Sequence, residues 1–279
     1  MITLLEIIKR AEYFLAERGI GRARREAEEV IADVLGIKRL DLYLQFDRPL
    51  SQNELPTLRL AIQRRSCREP AAYISGRVFF AGMQLSVTPD VLIPRPETEI
   101  LVEKISQTFQ TMSLANKVLW DVCCGSGCIG LALKHRFPEL HVILSDLSPE
   151  ALKIARQNAT LCGAMFKQGD LFAPFYDMKC DFLVCNPPYV TATEYATLAP
   201  EVRDWEPKMA LISGKNGYAF YTRIAQELKN HLNPDGLAWL ELGTGQGPHV
   251  QALFTAEGWR CHYEQDWSGH DRFFFITHH

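Results

Sequence analysis

The sequence has no apolar stretch that approaches the ~20 residues needed to cross a membrane. Near its start, Glu6 is an acid where a secretory signal peptide would carry its basic region and apolar core. We therefore expect a cytoplasmic protein without a membrane partner.

An excess of charge of one sign is also missing, since 30 Lys and Arg stand against 33 Asp and Glu, for a formal net charge of -3. A chain with this balance has no general attraction for nucleic acid. Residues 1–75 also lack a dense basic stripe with interleaved aromatic residues, which would indicate a nucleic-acid surface. We expect no stable nucleic-acid partner, and we take the chain to be a monomer.

Several catalytic and metal-binding patterns are absent as well. The sequence shows no Ser/His/Asp arrangement, no Gly-x4-Gly-Lys phosphate loop, and no Cys-x2-Cys pair of the kind that binds structural zinc. Eight cysteines are present, and several lie within apolar runs, where a reduced Cys behaves as a small hydrophobic residue. We expect free thiols and no metal.

What the chain does contain begins with a helical pattern over residues 1–75, where apolar residues recur at steps of three and four. Ser51 and Glu54 predict the capping box of its last helix. The end of that helix carries Arg64, Arg65 and Arg68, which would interact favourably with the helix dipole. The pattern leaves open whether this bundle is a structural cap on a catalytic domain or a substrate-docking module.

The segment from Arg77 to Val87 alternates around Ala81-Gly82 and predicts a β-hairpin, within a linker that we assign to residues 76–92. Prolines at positions 89, 94 and 96 then make a rigid connector ahead of a helix that opens at Glu97 or Thr98. The connector is either a stiff linker or a lid at the edge of a sheet. In the second case Arg95 and Glu97 are candidate substrate-binding residues.

Strand and helix patterns alternate over residues 93–279, which predicts an α/β fold. One helix runs from Pro149 to about Leu161, and another from Tyr218 to Leu232 ends at the turn residues 233–236. The last two strands alternate as an antiparallel pair. The predicted strands are 117–122, 141–146, 165–168, 180–184, 237–242, 259–265 and 272–277.

The turn after the first of these strands, Cys123-Cys124-Gly125-Ser126-Gly127, leads into a helix, and the second strand ends on Asp146. This arrangement binds adenosine, because glycines admit the ligand to the backbone and the acid accepts both ribose hydroxyls. Asp121, just before the turn, would pair with the amino group of a methionine moiety and would repel a pyrophosphate. Its alternative role is to cap the loop.

Asp170, after the third strand, suits the exocyclic amine of adenine, and Leu171 would pack against the ring. The run 125–130 also matches the G-x-G-x-x-G pattern of dinucleotide sites, so an NAD-dependent oxidoreductase is an alternative of a different class. Taken in order, the acids and the glycine turn predict S-adenosylmethionine bound along successive strand ends.

Asn186-Pro187-Pro188-Tyr189 follow the strand 180–184, and two prolines force the chain out of the sheet as a stiff segment. The Asn186 side-chain oxygen and the Pro187 carbonyl could each accept one hydrogen of a planar –NH2 group and so turn its lone pair toward an electrophile. Tyr189 would provide a flat wall for the substrate amide. The alternative is a Pro-Pro turn without a catalytic role.

These motifs together resemble the release factor glutamine methyltransferases (the PrmC/HemK type), and the likeness spans nearly the whole chain. Asn-Pro-Pro-Tyr is shared with adenine-DNA and guanine-rRNA methyltransferases, whereas the connector before the glycine turn is more specific. The segments that carry the resemblance are the helical amino-terminal part, Ile93-Pro-Arg-Pro-Glu-Thr-Glu99, the glycine turn, Ser145-Asp146-Leu147-Ser148-Pro149, Asn186-Pro-Pro-Tyr189, Glu206-Pro207 with Ala210-Leu211, and Leu240-Glu-Leu-Gly243 with Gln246.

The resemblance implies a class I adenosylmethionine-dependent fold, Rossmann-like, with a seven-stranded sheet and an antiparallel last strand behind a small helical bundle. It implies N5-methylation of the glutamine in the Gly-Gly-Gln motif of class I peptide release factors, with S-adenosylmethionine as cofactor. It also implies that residues 1–75 dock the factor, and that Asn186, Pro187, Pro188 and Tyr189 bind its glutamine. Cys123 and Cys124 depart from the family's usual Gly-Thr.

Two other interpretations stay open at this stage. A nucleic-acid amino-methyltransferase would use the same Asn-Pro-Pro-Tyr chemistry on adenine or guanine. A catalytically inactive docking module would fit the added Cβ of Cys123, where the family has a glycine.

Overall fold

The computed structural model describes residues 2–160 and 162–278. In chain order the α-helices are α1 (Leu4–Glu17), α2 (Ala23–Leu35), α3 (Glu54–Ser66), α4 (Ala71–Ser75), α5 (Pro96–Phe109), α6 (Cys128–Arg136), α7 (Pro149–Asn158), α8 (Ala192–Thr197), α9 (Pro200–Arg203), α10 (Ala219–His231) and α11 (Gly247–Ala256). The strands are β1 (Arg77–Phe80), β2 (Met83–Ser86), β3 (Val118–Val122), β4 (His141–Asp146), β5 (Met165–Gln168), β6 (Cys180–Cys185), β7 (Leu232–Glu241), β8 (Arg260–Gln265) and β9 (Asp271–Thr277).

Contacts group the chain into two units. The first comprises Met1–Arg77 together with Ala199–Trp205, and the second comprises Val78–Leu198 and Glu206–His279. The polypeptide therefore passes between the units at three points, after residues 77, 198 and 205.

The first unit is built on α1 to α4, with a 3-10 helix at Arg39–Leu44. Its core contains apolar residues from the predicted periodic positions, including Leu4, Ile8 and Leu15, which are fully buried. Ser51 and Glu54 exchange the two predicted capping bonds: the Ser51 N–H donates to Oε2 of Glu54 at 2.8 Å, and the Glu54 N–H donates to the Ser51 hydroxyl at 3.3 Å.

Residues 199–205 join this unit through an ion-pair cluster. Glu201 of α9 lies 3.2 Å from Arg65 and 3.1 Å from Arg68, and Arg65 also contacts Glu26 at 2.8 Å. Arg65 is only 5% exposed, so these carboxylates offset the cost of burying its positive charge. The sequence pattern assigned these arginines to the helix dipole, whereas the structure shows that Arg65 and Arg68 pair with side chains far along the chain.

The second unit is organised on a sheet of seven strands in the order β5-β4-β3-β6-β7-β9-β8. The pairs from β5 through β7 are parallel, and β9 is antiparallel to both of its neighbours. This confirms the predicted α/β class with an antiparallel last strand. The parallel direction brings the segments that follow β3, β4, β5 and β6 to one edge of the sheet, where such sheets bind ligands.

Both faces of this sheet are covered, which explains why its central strands have apolar sequences without alternation. Leu119 of β3 packs on one face in a cluster that includes Phe109 and Phe182. Trp120, the next residue, packs on the other face, where its ring stacks on Phe175 at 3.9 Å between centroids.

Several element boundaries differ from the sequence predictions, by a single residue in β3, β6, β8 and β9. The predicted turn at 233–236 instead lies inside β7, whose register to β6 shifts between Cys180 and Phe182 to accommodate it. Helix α5 begins earlier, at Pro96, with Pro in the favoured first turn. Helix α7 ends at Asn158, and Leu161, near which it was predicted to end, lies outside the described residues.

No helix within residues 2–160 and 162–278 is both long enough and apolar enough to cross a membrane.

Candidate active site

A cavity lies at the edge of the sheet in the second unit, and it encloses about 960 Å³ including its open mouth. The predicted site residues that line it are Arg95, Cys123, Cys124, Gly125, Ser126, Asp146, Asp170, Leu171, Asn186 and Pro188. Others that were predicted for the site do not line it: Glu97, Asp121, Gly127, Pro187 and Tyr189.

The glycine turn connects β3 to α6 through left-handed backbone. Gly125 has φ of +54° and Gly127 of +79°, and Cys123 adopts +58° although it carries a Cβ. A Cβ on Gly125 would meet no atom within 4 Å, whereas one on Gly127 would approach Leu131 to 3.1 Å. Gly125 therefore leaves open space in the cavity, and Gly127 permits close packing of α6 against the sheet.

Asp146 ends β4 beside this turn, and backbone N–H groups hold both of its carboxylate oxygens. Gly125 donates to Oδ2 at 2.9 Å, and Ser148 donates to Oδ1 at 2.9 Å. Burial raises the pKa of Asp146, and these N–H groups partly offset that effect. The carboxylate lines the cavity in a fixed orientation that suits a pair of ligand hydroxyls.

Asp121 lies beneath the turn and is 1% exposed. Its Oδ2 accepts the Gly130 N–H at 2.8 Å, in the first turn of α6, whereas Oδ1 has no hydrogen-bond partner among the described residues. Burial raises the pKa of Asp121 to about 7, the Gly130 N–H lowers it, and the charge of Asp146 raises it. Asp121 thus accepts a backbone N–H of α6, and its Oδ1 stays unpaired among the described residues.

The third predicted acid, Asp170, is exposed and pairs with Arg223 at 3.0 Å. Its neighbour Leu171 is 2% exposed and has φ of +47°, so the loop after β5 turns sharply at the cavity wall. The pairing with Arg223 was not predicted, because this partner lies 53 residues further along the chain.

Asn186 and Tyr189 are half-buried, and Pro187 and Pro188 between them are buried. The segment is anchored where it leaves the sheet, because Val190 forms a parallel bridge with Ile212. The Tyr189 carbonyl accepts Nε2 of Gln246 at 3.1 Å, and Oε1 of Gln246 accepts the Gly243 N–H at 3.0 Å. Burial raises the pKa of Tyr189 to about 12. Residues 186–189 are thus held by Gln246, which follows the neighbouring strand β7.

The proline-rich connector is also fixed from elsewhere in the second unit. Glu206 is 5% exposed and accepts the Ile93 N–H at 3.2 Å and Nη2 of Arg95 at 2.5 Å. The structure therefore gives Arg95 a buried protein partner while it lines the cavity. Glu97 lies in the first turn of α5.

Several lining residues were not predicted. Leu147 is 50% exposed and Met209 53% exposed, and both contribute apolar surface to the cavity. Leu147 directly follows Asp146, which is the only signal in the sequence that could have indicated it. The remaining unpredicted residues are Asp90, Val91, Leu92, Pro94, Thr98, Cys128, Ile129, Ser148, Ala151, Gly169, Pro207, Ala210 and Phe220.

Among residues 2–160 and 162–278 no group of three or more His, Cys, Asp or Glu side chains is arranged to hold a metal ion. The eight cysteines are free thiols.

Comparison with known proteins gives matches for both parts of the chain. Residues 6–76 match the PrmC N-terminal domain, and residues 96–201 match the methyltransferase small domain. A methyltransferase structure from Pyrococcus furiosus aligns with a TM-score of 0.51 at 17% identity, over 70% of this chain and 88% of that chain, and this supports the fold alone.

Curated relatives match over almost the full length. The release factor glutamine methyltransferase of Chlamydia trachomatis serovar L2 is 44% identical over 97% of this chain and 93% of its own length. The one from Geobacter sulfurreducens is 39% identical over 97% of this chain and 95% of its own. The chain belongs to the release factor glutamine methyltransferase family.

Proposed function

We propose that this enzyme methylates N5 of the glutamine in the Gly-Gly-Gln motif of class I peptide release factors, with S-adenosylmethionine as the methyl donor. Family membership supports the reaction class. The observation that carries the proposal is that Asn186, the glycine turn and Asp146 line one cavity. Because this cavity brings an amide-binding side chain beside a ligand-binding turn, it suits methyl transfer to an amide nitrogen.

The residues present fit the proposed cofactor. Asp146 would accept the ribose hydroxyls, and Gly125 leaves room at the turn. Asp121 lies beneath the turn, outside the cavity lining, and its Oδ1, which has no partner among the described residues, is the acceptor we propose for the ammonium group. Asp170 and Leu171 would border the adenine. When bound, S-adenosylmethionine supplies an electrophilic methyl group on a sulfonium that leaves as a neutral thioether.

Asn186 and Pro187 would act on the glutamine by position rather than by proton transfer. If the Asn186 oxygen and the Pro187 carbonyl each accept one amide hydrogen, the nitrogen lone pair is directed away from its plane toward the methyl group. The amide nitrogen would accept the methyl group that the sulfonium releases, and the proton it then loses would pass to solvent. Pro188, Tyr189, Arg95 and Glu97 are the proposed neighbours of the substrate backbone and amide.

We further propose residues 1–75 as the docking domain, 76–92 as a hairpin linker and 93–279 as the catalytic domain. A groove between α1 and α3 supports the docking role. Its floor is apolar, with Ile7, Phe14 and Leu58, and Arg10 and Arg59 contribute positive charge. Such a groove suits an amphipathic helix of the release factor that carries acidic side chains. We expect the reaction in the cytoplasm, with the enzyme as a monomer.

The proposal is tested by methyl transfer from labelled S-adenosylmethionine to a purified release factor, beside a version whose Gly-Gly-Gln glutamine is changed to alanine. We expect label on the first protein and none on the second. Equal label on both would reject the target residue. Label on duplex DNA or rRNA, with none on the release factor, would reject the substrate class and favour a nucleic-acid amino-methyltransferase.

A further inference from the structure

A buried carboxyl group lies next to Asn186 in the sheet. Glu241 is the last residue of β7 and is 2% exposed. Cys185 of β6 is in register with Leu240 of the parallel strand β7. The residues that follow each of these, Asn186 and Glu241, are therefore neighbours at the edge of the sheet. Asn186 lines the cavity, whereas Glu241 does not.

One side-chain hydroxyl hydrogen-bonds to this carboxyl, and one side-chain amide lies next to it. The Thr98 hydroxyl donates to Oε2 of Glu241 at 2.6 Å, in a bond that is buried on both sides. The Asn186 carboxamide lies beside Glu241 at the strand ends and lowers the pKa of this carboxyl. In addition, the Tyr221 hydroxyl donates to the Glu241 carbonyl at 2.9 Å, which fixes the backbone at this position.

The surroundings of Glu241 balance burial against these donors. Burial raises its pKa, whereas Thr98, the positive charge of Arg272 and the Asn186 amide lower it, and the charge of Glu97 raises it. The other titratable neighbours are neutral near pH 7, because burial raises the pKa values of Cys128, Cys185, Tyr189 and Tyr221. The ionised form of a buried carboxyl is stable only while hydrogen-bond donors contact it.

The two ends of an asparagine side chain have opposite chemistry, and the proposed reaction needs only one of them to face the substrate. A carboxylate accepts hydrogen bonds and cannot donate them. It therefore attracts the Asn186 –NH2 end, which leaves Oδ1 to face the cavity as an acceptor. The opposite orientation would present a donor to the substrate –NH2 group and would repel it.

We propose that Glu241 is a positioning residue for methyl transfer: it holds the Asn186 carboxamide with its oxygen toward the substrate, and Thr98, in the first turn of α5, holds Glu241. This inference rests on the proposed role of Asn186. It also gives the Ile93–Glu99 segment a task at the reacting end of the cavity, through a residue that need not touch substrate.

The test compares Glu241→Gln with Thr98→Val and Thr98→Ser, and uses Asp271→Asn as a matched control. Asp271 is another buried acid, 7% exposed, whose contacts are with Gly247 and Gln265 rather than with Asn186. On a Gly-Gly-Gln peptide we expect Glu241→Gln to lower kcat about 100-fold with KM changed less than about threefold, as for loss of a preorganised polar group. Thr98→Val should lower kcat about tenfold. Thr98→Ser, which keeps the hydroxyl, should keep the wild-type kcat, and Asp271→Asn should leave kcat unchanged.

Two readouts separate positioning from a purely structural role. The side-chain amide signals of Asn186, identified by their absence in Asn186→Ala, should shift in the NMR spectrum of Glu241→Gln and not in that of Asp271→Asn. Loss of the Thr98 donor should raise the pKa of Glu241, so the acid limb of the kcat profile should move to higher pH in Thr98→Val. The double variant that combines Thr98→Val with Glu241→Gln should lose no more kcat than Glu241→Gln alone, because Thr98 acts through Glu241.

Binding of S-adenosylhomocysteine, measured by calorimetry, reports whether each variant keeps its fold. Unchanged kcat in Glu241→Gln, or an unshifted Asn186 signal, would overturn the inference while the proposed function stands. Full turnover in Asn186→Ala would instead reject the proposed mechanism itself. If Glu241→Gln does not fold, an unmoved acid limb in Thr98→Val is sufficient to reject the inference.

Discussion

The two halves of the cavity are held in place by different kinds of group. At the ends of β3 and β4, backbone N–H groups hold both acids: that of Gly130 in α6 holds Asp121, and those of Gly125 and Ser148 hold Asp146. At the ends of β6 and β7, side chains are the donors: Gln246 donates to the Tyr189 carbonyl, and Thr98 donates to Glu241. The first half therefore depends on local backbone geometry, whereas the second depends on residues distant in sequence. Substitutions should consequently affect binding in the first half and turnover in the second.

The largest effect should come from Asn186→Ala, which removes the amide acceptor from the second half. We expect kcat on a release factor to fall about 10³-fold, because a preorganised polar group aimed at the reacting atoms is lost. The dissociation constant for S-adenosylhomocysteine should change less than about threefold. A large loss of cofactor affinity with preserved kcat would mean that the two halves do not divide the work in this way.

Asp121→Asn tests the buried acid of the first half through stability. Because the pKa of Asp121 is raised to about 7 in the folded protein from about 4 in an unfolded chain, the protonated form is favoured on folding. The contribution of Asp121 to the free energy of unfolding is thus greatest below about pH 4 and falls by up to about 4 kcal/mol as the pH rises to about 7.

Urea unfolding at about pH 5 and about pH 8 measures this difference in both proteins without cofactor. The Asn variant should lack this fall, so its stability relative to the wild type should improve at the higher pH. An identical pH dependence in the two proteins would contradict the assignment of Asp121 as a buried, largely unpaired acid.

Asp146→Asn should affect the same half through the cofactor. The amide cannot accept the backbone bonds from Gly125 and Ser148 and the ribose hydroxyls together, so we expect cofactor affinity to fall about 30-fold, or about 2 kcal/mol. At saturating cofactor, kcat should stay within about threefold of the wild type. Calorimetry and initial rates measure the two quantities, and a fall in kcat alone would count against the ribose role.

The smallest effect concerns a change that spares both halves. Combined Arg10→Glu and Arg59→Glu reverse two charges at the groove of the first unit, and should raise KM for a whole release factor about tenfold. KM for a short Gly-Gly-Gln peptide should stay unchanged. Arg25→Glu, on the exposed surface of α2 and outside the groove, serves as the matched charge control. Equal effects on protein and peptide would remove the docking role from this groove.

Sequence patterns predicted the sheet well because its signals are local. The bounds of β4 and β5 agree with the predicted strands, and the Asp146 and Asn186 positions follow from strand ends alone. Partners that depend on tertiary structure were not predictable in this way. Arg95 with Glu206, and Thr98 with Glu241, are 111 and 143 residues apart, and no periodicity encodes such pairs. The turn residues 233–236 lie within the bounds of β7, but the register to β6 passes from Leu232 to Leu237 and gives none of them a partner, so their local preference persists as an irregularity in the strand.

The membership of Ala199–Trp205 in the first unit has a consequence for how this protein can be engineered. A truncated chain that begins after residue 77 would keep Glu201 but lose Arg65 and Arg68, which neutralise its charge. It would also leave residues 199–205 without the helices of the unit to which they belong. The amino-terminal helices are therefore not an exchangeable cassette, and a chimaera between two such enzymes should transfer residues 199–205 together with residues 1–77.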